Sequence, residues 1–157
     1  MTLEIRTAVL EDLPALRAVF RAASLSNAGD RDALLAHPDA LVLDHANVAA
    51  GRTRGACEAS HVVGFATVLE GGDGVELEDL FVAPAWMRRG VATALVRDAL
   101  ERARDAGAQR LEVTANDHAL AFYLWCGFVE TGRVATAFGE GRRMWCSTGA
   151  AALGTIR

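Results

Sequence analysis

A predicted β-strand, a short turn and a long amphipathic helix follow one another between residues 77 and 105. The strand stops at Pro84, and the helix begins near Arg89 and closes at Gly107, a residue suited to a left-handed helix end. Its apolar stripe, at helical spacing, consists of Ala92, Leu95, Val96, Ala99, Leu100 and Ala103. The residues predicted to face water are Arg97, Asp98, Glu101, Arg102 and Arg104. A helix with one apolar face directly after a strand predicts an α/β domain, in which helices cover a sheet.

The remaining chain carries further strand and helix patterns. Strands are predicted over residues 3–6, 54–59, 62–69, 75–82 and 111–114. Helices are predicted from residue 11, more vaguely across 31–50, and from Asn116 to residue 126. The glycine-rich run 71–74 joins two strands with no helix after it, so it predicts a hairpin turn rather than a phosphate loop.

A closing hairpin is predicted over residues 128–146, with its turn at 139–141. Its edge could pair with a second chain, which predicts a symmetric homodimer as one arrangement. We find no linker and no internal repeat. One domain is therefore predicted over residues 1–147, followed by a flexible C-terminal tail over 148–157.

Composition narrows the class of protein. Apolar residues make up 52% of the chain and charged residues 23%, as in soluble globular proteins, and no run reaches a membrane span of roughly 20 apolar residues. The net charge of −4 argues against a nucleic-acid partner. All 16 basic residues are arginine, which removes lysine as a catalytic base. Three scattered cysteines form neither a disulfide framework nor a paired metal motif, so we predict a cytoplasmic protein without a metal site.

The turn before the long helix is a candidate anion site. The first backbone N–H groups of a helix lack internal partners and lie at the positive end of its dipole, where a phosphate accepts several of them. Gly90 and the small Ala92 permit close approach of a ligand to the backbone, and Arg88 and Arg89 add positive charge. The alternative is an ordinary helix start with two solvated arginines.

A second candidate group lies around the short helix after Asn116. Asn116 is a good helix N-cap, which is also its simplest explanation. Tyr123 is the sole tyrosine of the chain, and a phenol of pKa near 10 can protonate a departing thiolate. The alternative for Tyr123 is a core residue. Cys126, at the end of this helix, fits packing better than a covalent acyl-cysteine route.

Three acidic residues cluster in the strand that precedes the turn. Strand alternation places Glu76 and Glu78 on one face and Asp79 on the other, among apolar neighbours. Glu78 could accept a proton from an amine, directly or through water, if desolvation raises its pKa. The alternative is that both glutamates are solvated. Asp79 is predicted to be a buried carboxylate that needs a partner or forms a structural bond to nearby backbone.

These motifs, in this order, resemble the Gcn5-related N-acetyltransferase (GNAT) superfamily over nearly the whole chain, from Ile5 to Cys146. The opening I-R-T-A-x-x-x-D-L is similar to the family's first strand and helix, and L-E-D-L-F-V-A-P at 77–84 to its fourth strand. W-M-R-R-G-V-A at 86–92 stands where the family has its pyrophosphate turn, and N-x-x-A-x-x-F-Y-x-x-x-G-F at 116–128 matches its last helix and following strand.

The resemblance implies a fold and a set of roles. The fold would be a mostly antiparallel sheet of about seven strands with about four helices and a splayed acyl-CoA cleft. Acetyl-CoA would be the acyl donor in direct transfer. Its pantetheine arm would pair with Leu80, Phe81 and Val82 and contact Asn116, and Tyr123 would protonate the thiolate while Glu78 acts as general base. The backbone that would hold the pyrophosphate comprises Arg88, Arg89, Gly90, Val91, Ala92 and Thr93.

The resemblance also has a departure and leaves the acceptor open. Met87 stands where the family usually has Gln or Arg, and Arg88 replaces a common glycine, which is tolerable if residue 88 is not left-handed. We predict a primary amine of a small molecule as acceptor, leaning weakly to a diamine, polyamine or amino-acid-like compound because of the acidic cluster. The alternatives are a protein N-terminus and a catalytically idle acyl-CoA-binding module.

Overall fold

The computed structural model describes residues 2–72, 74–136 and 139–149. Within these ranges the chain forms seven strands of one mixed sheet, in the spatial order β1-β2-β3-β4-β5-β7-β6. They are β1 Leu3–Thr7, β2 Thr53–Glu58, β3 His61–Gly71, β4 Gly74–Val82, β5 Arg110–Ala115, β6 Val129–Thr136 and β7 Gly139–Ser147. β4 and β5 are parallel, whereas β1–β2, β2–β3, β5–β7 and β6–β7 are antiparallel. The predicted α/β class and its mostly antiparallel sheet are confirmed.

Five α-helices lie in the described residues: α1 Leu13–Leu25, α2 Ala28–Ala36, α3 Ala46–Ala49, α4 Val91–Asp105 and α5 Leu120–Trp125. A proline in the first turn of α1 fixes φ where the missing N–H has no consequence. The region 31–50, vaguely helical in sequence, is divided into α2, a 3₁₀ turn at Pro38–Leu41 and α3. No helix in the described part of the chain is both long and apolar enough to cross a membrane.

Contacts within the chain divide it into two compact units. The first comprises residues 1–67 and 79–95. Its core cluster joins α1 to the loop after α2 and to β3, through the buried residues Ala8, Leu16, Val19, Leu43, Val48 and Phe65. The ring of Phe81 packs against Phe20 and Phe65, with centroids 4.9 and 5.5 Å away. This aromatic cluster fixes the second half of β4 against α1.

The second unit comprises residues 68–78 and the chain from residue 96 onward. Its interior contains the apolar residues of α4 from Val96 onward and the inward residues of the strands; among those that are buried are Val96, Ala99, Leu100, Ala103, Leu111, Val113 and Met144. One detail of the helix prediction is wrong. Asp98 and Arg102 do not face water freely, since their side chains are only 14% and 18% exposed and lie 4.0 Å apart as an i,i+4 pair.

The closing hairpin also differs from its prediction. Residues 139–141 do not form the turn but begin β7, where Gly139, Glu140 and Gly141 pair with Thr136, Ala135 and Val134 of β6. The connecting residues 137–138 lie outside the described ranges. A glycine is needed at 141 for packing, because an added Cβ would lie 2.6 Å from a methyl carbon of Thr114.

The flexible tail was predicted to begin at Thr148, but this residue is buried and hydrogen-bonded to the rest of the fold. The amide of Thr148 donates to the carbonyl of Gln109, and its hydroxyl donates to that of Ala108. These two bonds tie the end of β7 to the loop that precedes β5. Residues 150–157, to which most of the predicted tail belongs, lie outside the described ranges.

Candidate cofactor and catalytic site

The turn between β4 and α4 has two residues in the left-handed region. A 3₁₀ turn at Pro84–Trp86 leads into it, Arg88 has φ +63° and Gly90 has φ +85°, and α4 starts at Val91. A Cβ added to Gly90 would meet nothing within 4 Å, so the backbone there faces open space. This conformation turns the chain sharply from the strand into the helix and leaves its backbone accessible.

The amides of this turn are free to receive a ligand. Among the turn and cap hydrogen bonds of the described residues, none is donated by the amides of residues 88–93, and the bond that closes the first helical turn runs from Ala94 to the carbonyl of Gly90. Arg88 and Arg89 are exposed, and the Arg89 guanidinium lies 5.1 Å from the centre of the Trp86 ring. An anionic diphosphate would fit this turn, because the turn offers backbone N–H groups that donate no turn or cap hydrogen bond, the positive end of a helix dipole and two arginine side chains.

The backbone of Arg88 is left-handed, whereas the sequence analysis expected an arginine to be tolerated at this position only if its backbone were not left-handed. A side chain with a Cβ costs about 1–2 kcal/mol in this region, whereas glycine does not. Arg89, the next residue, is not among the residues with positive φ. The turn therefore keeps a strained arginine where glycine would be relaxed.

We expect Arg88→Gly to be roughly 1–2 kcal/mol more stable than the matched variant Arg89→Gly. Both changes remove one charge and add one flexible residue to the unfolded chain, but only the first relieves backbone strain. Urea unfolding of the two variants measures the difference in the free energy of unfolding. Equal stability of both variants would show that residue 88 is not strained in solution.

The second half of β4 lacks a partner on one side in the described residues. The parallel register with β5 runs from Val75–Leu111 to Leu77–Val113 and stops there, although β4 continues to Val82. On the other side the amide of Ala83 donates to the carbonyl of Val63 at 2.9 Å. The stretch Leu80–Val82 thus has backbone groups that are not paired with β5.

Tyr123 is buried in an aromatic cluster within the second unit. Its ring meets Phe122 and Phe128 edge-on at centroid distances of 5.3 and 5.2 Å, and only 5% of the residue is exposed. Burial, with a smaller contribution from Cys126, raises the pKa of the Tyr123 phenol above its ordinary value. The phenol therefore remains protonated at neutral pH, as a proton donor must.

The neighbouring Cys126 is unsuited to covalent catalysis. It is fully buried, and burial followed by the charge of Cys146 raises the pKa of its thiol to about 12. Almost no thiolate exists at neutral pH, and the thiolate is the nucleophilic form. The packing interpretation made from the sequence agrees with this environment.

Asn116 caps a turn rather than α5 itself. Its side-chain oxygen accepts a hydrogen bond from the amide of Ala119 at 3.0 Å, and α5 begins one residue later. The residue is exposed. Its amide group is therefore fixed in orientation by the turn, while the rest of the side chain remains accessible.

The two glutamates of β4 line a concavity of about 350 Å³ in the second unit. The wall residues are Glu76, Leu77, Glu78, Thr114, Val134, Ala135 and Thr136. Glu76 forms an ion pair with Arg143, whose guanidinium also donates to the hydroxyl of Thr114 at 2.8 Å and lies 3.7 Å from a carboxylate oxygen of Glu112. Glu78 is exposed. Glu78 therefore lacks the desolvated environment that the sequence argument required of a general base.

The acid that does become desolvated is Asp79. It is partly buried, burial raises the pKa of its carboxyl group, and a hydrogen bond from Thr67 opposes that shift. The sequence predicted the burial from the apolar neighbours, but it named nearby backbone as one partner and did not find the Thr67 side chain. The signal was a threonine in β3, the first strand of the hairpin that contains Asp79, and identifying this partner requires knowledge of which residues face each other in the two strands.

The chain is similar to known acetyltransferases in sequence and in fold. The model of the Acetyltransferase (GNAT) family matches residues 17–128. A GCN5-related N-acetyltransferase of Rhodopseudomonas palustris is 29% identical, with a TM-score of 0.72 over 94% of this chain and 96% of that one. The PaiA N-acetyltransferase of Thermoplasma acidophilum, solved with coenzyme A, is 19% identical, with a TM-score of 0.72 over 92% and 98%.

A third similar structure is the ribosomal-protein-S18-alanine N-acetyltransferase of Escherichia coli, 19% identical with a TM-score of 0.67 over 94% of both chains. No curated protein matches the sequence. Both the fold and the family model define an acyltransferase of the N-acetyltransferase type. The chain belongs to the GNAT family of acetyltransferases.

Proposed function

We propose that this protein transfers the acetyl group of acetyl-CoA directly to a primary amine of a small molecule. The observation that carries the proposal is the turn at 88–93, whose backbone amides donate none of the turn and cap hydrogen bonds of the described residues. The start of the helix there faces open space beside two arginines. Leu80, Phe81 and Val82 would pair with the pantetheine arm, and Asn116 would contact it. Acetyl-CoA supplies the activated thioester.

The protein's own groups would then handle the protons. Tyr123, whose phenol stays protonated, would donate to the sulfur of the departing coenzyme A. A carboxylate of β4 would accept a proton from the acceptor ammonium, and Glu78 is the residue that the sequence selects for this role. An amide of the unpaired β4 stretch would stabilise negative charge on the thioester oxygen.

The acceptor would be cationic before transfer. The concavity within the second unit presents the carboxylate of Glu78 and the hydroxyl groups of Thr114 and Thr136. Such walls attract an ammonium group and favour a diamine, polyamine or amino-acid-like compound. The Escherichia coli relative named above is an N-acetyltransferase of an alanine of ribosomal protein S18, which supports a protein N-terminus as the second candidate acceptor.

Binding and turnover can be tested separately. Acetyl-CoA at 100 times its dissociation constant stabilises a protein by about 2.7 kcal/mol, which raises Tm by roughly 5–10 °C for a chain of this size. A thermal-shift titration measures the binding, and release of free thiol with putrescine, spermidine and amino acids measures the transfer. Absence of any shift would contradict the proposal.

The alternative function, an idle acyl-CoA-binding module, can be distinguished from an enzyme by the same two measurements. Such a module would give the same thermal shift but no thiol release with any amine.

The proposed location is the cytoplasm, and the proposed assembly is a homodimer. The position of β6 at one end of the strand order supports the latter, and light scattering of the purified protein measures it.

A further inference from the structure

A concavity of about 610 Å³ lies in the second unit, where the end of β7 meets the loop between α4 and β5. The polar and aromatic side chains of its wall belong to Arg104, Gln109, Arg110, Trp145, Ser147 and Thr148. None of the described residues that line it is acidic. This Arg110 concavity is separate from the one proposed for the acceptor, whose Thr114 lies about 13 Å further along β5. Its wall therefore presents positive charge and hydrogen-bond donors that the proposed acetyl transfer does not use.

The strand register determines the orientation of Arg110. Arg110 pairs with Ser147 of β7, so Trp145, two residues before Ser147, is its diagonal neighbour on the same face of the sheet. The guanidinium carbon lies 5.0 Å from the centre of the Trp145 ring. A guanidinium that stacks on an aromatic ring keeps the N–H groups at its edge for an anion. Arg110 is therefore oriented before a ligand binds, which lowers the entropy lost on binding.

Hydrogen bonds hold the rest of the wall in place. At the end of α4 the amide of Ala108 donates to the carbonyl of Ala103 at 3.0 Å. The two bonds of Thr148 join the same loop to the end of β7. The hydroxyl of Ser147 accepts from the amide of Gly149 at 3.2 Å, so its own proton remains available for a ligand. The concavity is thus built from ordered backbone on both sides.

The two arginines of the wall have no carboxylate partner in the described part of the chain. Other arginines of this unit lie within 4.0 Å of a carboxylate oxygen, namely Arg102, Arg133, Arg142 and Arg143. Arg104 and Arg110 form no such ion pair with a described residue, and both are exposed. A single ligand with two negative charges would balance both guanidinium groups. A phosphate monoester carries about −1.5 to −2 at pH 7, whereas a monocarboxylate would leave one cation uncompensated.

We propose that the Arg110 concavity binds a small organic phosphate, whose phosphate group accepts hydrogen bonds from Arg104, Arg110 and Ser147. The volume lies within the range of about 300–1,000 Å³ that is typical of small-molecule sites, so an organic group fits beside the phosphate. That group lies against Trp145, and the Gln109 amide can both donate to it and accept from it. This binding does not depend on the proposed acetyl transfer.

Calorimetric titration with three probes at one ionic strength tests the site. The probes are inorganic phosphate, glucose 6-phosphate and adenosine 5′-monophosphate. We expect at least one of the two monoesters to bind saturably with Kd below about 1 mM, and more tightly than inorganic phosphate. Arg104→Gln and Arg110→Gln should each weaken that binding about 10- to 100-fold, the usual effect of losing a hydrogen bond to a charged group. Absence of saturable monoester binding, or equal binding of inorganic phosphate, overturns the proposal.

Arg89→Gln is the matched control, because Arg89 also lies over a tryptophan ring, that of Trp86, at 5.1 Å. It removes the same charge and the same kind of stacking from the turn at 88–93, and monoester affinity should stay at the wild-type value. A loss in Arg89→Gln as large as in Arg110→Gln would place the phosphate at that turn and overturn the proposal. Arg110→Lys keeps the charge but not the planar fork, so it should also weaken binding, and full affinity in this variant would contradict the proposed contacts.

NMR of the tryptophan indole N–H groups locates the bound probe. The Trp145 signal, assigned with Trp145→Phe, should shift saturably with the monoester, while the signals of Trp86 and Trp125 should stay in place. Binding that leaves the Trp145 signal unmoved overturns the proposal. Thermal unfolding of each variant without probe shows whether it is folded, and the exposed Arg104 and Arg110 should be replaceable without a large change in Tm. Thiol release, measured without these probes, tests the proposed function separately, so either proposal can fail alone.

Discussion

Replacing Tyr123 with phenylalanine is expected to lower kcat by about 10²- to 10⁴-fold and to leave the affinity for acetyl-CoA nearly unchanged. The change deletes one hydroxyl group and keeps the ring, whose edge-on contacts with Phe122 and Phe128 hold the side chain in place. What is lost is the proton for the departing sulfur. Steady-state kinetics and a binding titration with acetyl-CoA measure the two effects separately.

The matched control for Tyr123→Phe lies three residues further along the chain. Cys126→Ala removes a buried thiol from the end of the same helix, and we expect turnover to remain within a few-fold of the wild type because that thiol does not ionise near neutral pH. A large loss in Cys126→Ala would instead support an acyl-cysteine route. An unchanged rate in Tyr123→Phe would remove the phenol from the mechanism.

The raised pKa of Tyr123 also has a consequence for pH dependence. A general acid works only while protonated, so activity should fall on the alkaline side when the phenol ionises. Burial moves that loss above the ordinary pKa of about 10. At neutral pH the phenol is fully protonated, and the pH dependence there has to come from the group that accepts the amine proton.

The order of strands and helices was predictable because its signals are local. The helical spacing of Leu95, Val96 and Leu100 and the β-rich runs on either side are visible in any window of the sequence. The same holds for the turn at Gly90, where a glycine follows two arginines. These signals were sufficient to identify the helix start that the proposed cofactor site uses.

Features that depend on register could not be predicted in the same way. Thr53, Thr67 and Asp79 are far apart in sequence, and only the pairing of three strands brings them into one row. The left-handed backbone of Arg88 could not be predicted from the arginine itself, and the only signal was that the family commonly has glycine at this position. Asp98 was assigned to the exposed face by helical periodicity, which does not report how much of that face neighbouring elements cover.

The close approach of backbone at Gly64 gives a strong prediction for stability. A Cβ added there would lie 3.0 Å from the carbonyl oxygen of Phe81, 3.0 Å from a methyl carbon of Val91 and 3.3 Å from one of Leu95. The carbonyl belongs to β4 and cannot rotate away as a side chain could. We expect Gly64→Ala to lower the free energy of unfolding by about 1–3 kcal/mol, the usual cost of overpacking a core.

Gly55 in β2 offers the matched control, since its added Cβ would meet only Cys57 and Val62, at 3.9 and 4.0 Å. Gly55→Ala should be neutral or stabilise by about 0.4–1 kcal/mol, because alanine restricts the unfolded chain more than glycine does. Chemical unfolding of both variants measures the contrast, and equal effects would contradict the close approach. Gly64→Ala should also weaken acetyl-CoA binding, because the added methyl group would press on the carbonyl of Phe81 and on the side chain of Val91, two residues whose backbone is proposed to hold that ligand.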